Sequence, residues 1–151
     1  MRGLERARRL LPGLWLGWLL CVAFLATPAA FALLAPPDAG RLVARMLAQE
    51  AYTSLALGLL LLVLERAGAR RAALAGRGPQ FSTGMLLALG AVFCTVAGYF
   101  GVQPLMPAAR AGQGLLSFGQ LHALSAAFYV LKCGLVLALA WRAARPPIDA
   151  D

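Results

Sequence analysis

The chain has 151 residues, 61% of them hydrophobic and only 13% charged. With the apolar residues gathered in blocks, those proportions exclude an ordinary soluble domain, and residues 1–151 read as a single membrane domain. The net charge of +8 does not point to nucleic acid, because the arginines flank the apolar blocks and form no basic face with interleaved aromatics.

The first apolar block runs from about Leu10 to Leu34, after Arg2, Arg6, Arg8 and Arg9. Pro28 lies inside it and is expected to kink it, because proline brings no N–H to the Phe24 carbonyl. Gly13-x-x-x-Gly17 matches a helix-packing pattern. The same stretch has a second reading as a secretory signal, with basic residues, an apolar run and Ala30-Phe31-Ala32 as the cleavage site. The run continues through Leu34, long enough to span by itself, which favours a retained helix. A lipoprotein signal is excluded because Leu20, not a small residue, precedes Cys21.

The second block spans about Met46 to Leu64, approached from Asp38 by amphipathic sequence, the third about Phe81 to Val102, and the fourth about Leu121 to Trp141. At a rise of about 1.5 Å per residue each reaches roughly 30 Å, the thickness of the hydrocarbon core. Helix is the form in which so short a chain can satisfy its backbone in lipid. The expected fold is all-α, a four-span transmembrane helical bundle. Residues 142–151 form a flexible tail, because Pro146-Pro147 cannot continue a helix.

Arginine placement orients the spans. Arg2, Arg6, Arg8, Arg9, then Arg66, Arg70, Arg71, Arg77, then Arg142 and Arg145 fall on one side, against Arg41, Arg45 and Arg110 on the other. The positive-inside rule places both termini and the Glu65–Gln80 loop in the cytoplasm, and residues 35–45 and 103–120 outside. Trp15, Trp18, Tyr52, Tyr99 and Trp141 lie toward span ends, as interface aromatics do.

Lys132, the only lysine, falls about midway along the fourth block. A charge at that depth costs at least roughly 2.5–3.5 kcal/mol unless it pairs or reaches water. His122, Ser125, Tyr129 and Lys132 share one face of that helix at spacings of three and four residues. Glu50, with Thr53 and Ser54, offers an acidic partner from the second helix; counting rises from the two boundaries leaves a vertical gap of about 8–9 Å for the side chains to close. Tyr99 and Gln103 lie on the third helix with Thr95, and Arg110 follows in the outer loop. Glu50, Tyr99, Gln103, Arg110, His122, Ser125, Tyr129 and Lys132 are the candidates for a polar pocket facing outward, with Pro28 shaping its mouth.

No enzyme, metal site or cofactor is expected. His122 stands alone beside scattered methionines, a poor metal set, and no H-E-x-x-H, G-x-S-x-G or phosphate loop is present. Cys21, Cys94 and Cys133 lie in apolar blocks and read as packing residues without disulfides.

Thr27-Pro-Ala-Ala-Phe31, Gly40, Tyr52, the run G-Y-F-G-V-Q-P-L-M from Gly98, Arg110 and F-G-Q-L-H-A-L-S from Phe118 together resemble bacterial membrane proteins carrying the domain of unknown function 4149. These are similar to the eukaryotic transmembrane protein 205 family. The resemblance implies a four-helix bacterial inner-membrane protein with an uncleaved first span and no settled activity, and it picks out Pro28, Phe31, Arg110, Phe118, His122 and Ser125. In the eukaryotic relatives the fourth helix has an asparagine beyond H-x-x-S, where this chain has Tyr129 and Lys132.

The leading functional expectation is a small transport or export-related component. The alternatives are a non-catalytic structural or assembly subunit whose polar stripe packs helices, and a metal-handling membrane protein. The expected partner is the lipid bilayer, with a homodimer or another membrane protein thickening a thin helical wall.

Overall fold

The computed structural model describes residues 2–145. Of the expected tail, residues 142–144 are instead the last residues of a helix, and Pro146 to Asp151 lie outside the described residues. The first span consists of α1 (Arg2–Leu20), a π-helical segment (Cys21–Ala26) and α2 (Thr27–Leu33). α3 is one continuous helix (Pro36–Leu74). The third span is α4 (Thr83–Thr95), a second π-helical segment (Val96–Gly101), a 3-10 turn (Gln103–Leu105) and α5 (Met106–Arg110), and α6 (Phe118–Ala144) is the fourth. Four helical runs, Gly3–Leu33, Pro36–Leu74, Thr83–Arg110 and Phe118–Ala144, are long and apolar enough to cross a membrane, as the sequence predicts.

The helices exceed their apolar cores. At about 1.5 Å per residue α3, with its 39 residues, is nearly twice as long as a bilayer core is thick. Arg66, Arg70 and Arg71 therefore extend a helix rather than occupy the Glu65–Gln80 hairpin expected from composition; the true turn lies within residues 75–82. Likewise α5 takes up part of the expected outer loop, leaving residues 111–117 as the connection. Local chemistry sets these ends. Gly76 (φ 67°) and Gly112 (φ 72°) supply the left-handed residue that closes a helix. Ser82 caps α4 by accepting from the Met85 N–H at 3.2 Å. Ser117 and Gln120 form a reciprocal capping box at the start of α6.

α1 and α4 each pack on both α3 and α6. α3 and α6 thus face one another diagonally across the bundle. The buried positions recur at alternating spacings of three and four residues: Pro12, Trp15, Leu19 and Val22 in the first span; Gly84, Ala88, Ala91, Thr95, Gly98 and Val102 in the third; Lys132, Val136 and Leu139 in α6. Spacing of this kind is what a packing seam between neighbouring helices produces. The core joins Trp15, Leu19, Leu61, Ala88, Ala91, Val136 and Leu139. A smaller cluster of Val102, Met106, Ala109 and Leu121, backed by Phe118, closes the end away from the termini.

Phe24, Val63, Phe93 and Val130 point outward, each more than three-fifths exposed, as lipid-facing residues should. Since lipid is as apolar as these side chains, close packing and polar contacts hold the helices together. Gly58 permits such packing: a Cβ there would come 2.6 Å from a Val92 methyl and 3.2 Å from the Trp15 ring. Gly13 and Gly17 do not, since both are exposed and space around each is open within the chain.

Candidate functional site

The centre of the bundle is a charge network. Lys132 on α6 donates to Glu50 Oε1 on α3 at 2.7 Å, with side chains only 4% and 3% exposed. The pair crosses the diagonal of the bundle, between the two helices that do not pack directly on each other. Both residues occupy seam positions, where a leucine would ordinarily sit, so their heads meet where the core would otherwise be filled by apolar atoms. The helices bring the pair into direct contact despite the vertical offset estimated from the sequence.

Glu50 is held by more than the lysine. Ser54, one turn along α3, donates its hydroxyl to the same Oε1. Trp15 on α1 donates its indole N–H to Ser54 Oγ at 2.8 Å. Trp15 and Ser54 are both fully buried. Trp15 is therefore not the interface aromatic its position suggests, but a core residue and the first member of a relay from α1 through α3 to α6. Trp18 and Trp141 do face outward. Thr53, expected beside Glu50, points away and is exposed.

Tyr129 lies under the lysine, with the ammonium 4.7 Å from its ring centroid. Its hydroxyl donates to the Leu19 carbonyl at 2.8 Å, just before the first π-helical segment. That segment precedes Pro28. The Thr27 N–H reaches back five residues to the Val22 carbonyl, and the Thr27 hydroxyl donates to the same oxygen at 2.8 Å. The expected distortion at Pro28 thus takes the form of a wide turn on its N-terminal side. The second π-helical segment plays a matching part in the third span. The Val102 N–H goes to Ala97 O at 3.2 Å, a five-residue reach, and Ser125 on α6 donates to the Gly98 carbonyl at 3.3 Å.

Between α3, the third span and α6 lies a cavity of about 30 Å³, bordered by Glu50, Tyr99, Gln103, Ser125, Tyr129 and Lys132 among the expected residues. Leu47, Cys94, Thr95 and Gly98 complete its wall. That volume suits about one water molecule. Among the described residues every buried side-chain nitrogen and oxygen has a hydrogen-bond partner.

His122 and Arg110 stand apart from this cavity. His122 is exposed and stacks on Phe118, with centroids 6.0 Å apart, while the Arg110 guanidinium lies 4.5 Å above the same ring. The polar face of α6 spans a wide arc. Its Lys132 edge turns into the bundle and its His122 edge turns out. Pro28 is exposed and borders the π-helical turn rather than the cavity. Among the described residues no three His, Cys, Asp or Glu side chains gather as a metal set would require.

At the end bearing the termini, Glu65 forms an ion pair with Arg8 at 3.3 Å and accepts from Ser82 Oγ at 3.4 Å, and Arg71 lies 4.0 Å from Glu5. These contacts bind α1, α3 and the start of α4 at one level.

No curated protein and no solved structure matches the chain. A family does: residues 10–114, which contain most of the first span, the whole of the second and third, Glu50 and the third-span wall of the cavity, match the family described as Domain of unknown function (DUF4149), and the protein belongs to that family.

Proposed function

We propose that the protein is a non-catalytic membrane subunit, resident in the bacterial inner membrane with both termini in the cytoplasm, whose central ion pair fixes the packing of its helices. The observation that carries this reading is the closure of the network. Glu50 and Lys132 are buried together, their neighbours Ser54, Trp15 and Tyr129 are all engaged, and the adjoining cavity holds about 30 Å³. Lone charges at this depth are costly, and each here neutralises the other. The first span is read as retained, because it supplies Trp15 and Leu19 to the core.

A second reading, the small transport or export-related component, is supported by a different observation. π-Helical turns inside α-helices are frequent at functional sites. One of the two lines the cavity at Gly98 and Tyr99, and the other begins beside the Leu19 carbonyl that receives Tyr129. Kinship with the eukaryotic transmembrane protein 205 family belongs with this reading. The F-G-Q-L-H-A-L-S segment from Phe118 lies beyond the family match at residue 114, so His122 draws its support from the sequence resemblance alone. Metal handling has the exposed His122–Phe118 stack as its only anchor.

Cys94 decides between the first two. It borders the cavity and is 3% exposed. In native vesicles of a Cys21→Ser, Cys133→Ala variant, a charged thiol reagent is expected to leave Cys94 unmodified while it modifies Gln113→Cys in the outer connection. Reaction of Cys94 at a rate near that of the loop control would establish a water-filled path and favour transport.

A further inference from the structure

A second feature stands apart from the central network. At the end bearing the termini, a cavity of about 250 Å³ opens among Arg8, Arg9, Arg142 and Arg145, with Glu65 at its wall. Glu65 is already engaged by Arg8 and Ser82. Among the described residues, Arg9, Arg142 and Arg145 have no carboxylate within ion-pair distance. Among the described residues, the cavity therefore gathers more positive charge than the carboxylates around it neutralise. Its volume matches that of roughly eight waters, room for a phosphate group and part of its hydration. Arginine side chains suit such a group because their planar forks donate two hydrogen bonds to phosphate oxygens.

Arg142 also borders a second space. On the outer face of the bundle, an apolar groove of about 570 Å³ runs between α4 and α6, floored by Gly134 and walled by Leu87, Leu137 and Trp141. Trp141 is 65% exposed at the end of that groove, beside Arg142. The groove lies within the membrane-crossing length of both helices, and the charged cavity lies at their ends. A molecule seated in both would carry a negative charge at the surface and an apolar chain directed into the membrane.

We propose that these two spaces form one binding site for an anionic phospholipid, with its phosphate among Arg9, Arg142 and Arg145 and one acyl chain in the α4–α6 groove. The charge selects the headgroup, since basic pockets between membrane helices at the headgroup level bind anionic lipids. The groove selects a lipid over a free anion. The site does not depend on how the central network is read.

Native mass spectrometry of the full chain, released from vesicles of phosphatidylcholine with a minor fraction of phosphatidylglycerol, tests this. Phosphatidylglycerol is expected to be retained over phosphatidylcholine, and Arg142→Gln with Arg145→Gln is expected to reduce that retention roughly tenfold or more, the scale of a lost charge-assisted contact. A charge-matched pair at the other end, Arg41→Gln with Arg45→Gln, is expected to retain lipid as the parent does. Gly134→Leu, which fills the groove and leaves the arginines in place, is expected to lower retention as well. Equal retention of the two lipids, or equal loss in both double variants, would overturn the site. Displacement of the lipid by added inorganic phosphate would show a free-anion site and overturn the role of the groove.

Discussion

Lys132 and Glu50 occupy positions that helix packing reserves for apolar side chains, and each is tolerable because of the other. Removing one partner of a buried pair typically costs about 3–5 kcal/mol, because the survivor stays desolvated. The supporting contacts are worth less individually. Trp15→Phe keeps most of the ring's volume but removes the 2.8 Å donor to Ser54, and the expected loss is about 1 kcal/mol in reversible unfolding in detergent. A loss near zero would show that the indole N–H contributes nothing to the relay. Lys132 and Glu50 were legible as an unusual pair in the sequence because charges are rare in apolar blocks. Trp15 was not, because a tryptophan near a span end is as compatible with the interface as with the core; only the seam spacing of Pro12, Trp15 and Leu19 separates the two.

At the scale of elements, close approach is concentrated at a few glycines. A Cβ on Gly98 would lie 2.7 Å from Phe128 Cβ, so the π-helical segment and α6 touch backbone to side-chain root. Gly98→Ala is expected to destabilise by about 1–3 kcal/mol, the range for overpacking, and to weaken the Ser125 contact to the Gly98 carbonyl. Melting of the purified variant checks this, and an unchanged midpoint would mean that the two elements can separate freely. The four spans were readable from block length, and the caps at Ser82 and Ser117 from local chemistry. The π-helical turns were not: proline predicts distortion near Pro28, but its form depends on carbonyl partners such as Tyr129 that only the packed bundle supplies. His122 fell outside the cavity for a related reason, since an arc of polar residues on one helix does not say which of its edges faces the neighbours.

For the whole molecule, the arginine bias predicts sidedness: a reporter fused at Leu74 is expected to be active only as a cytoplasmic reporter, and one at Gly112 only as an external one. The reverse pattern would invert the bundle and place the arginine-lined cavity outside. Charge holds the bundle across its diagonal, through Glu50 on α3 and Lys132 on α6. A double-mutant cycle on Glu50→Gln and Lys132→Met measures it directly. Each single variant is expected to lose about 3–5 kcal/mol of stability, and the double variant to recover most of that loss, since neither charge is then stranded. Losses that simply add in the double variant would contradict the account, because they would show that the two residues stabilise the bundle independently.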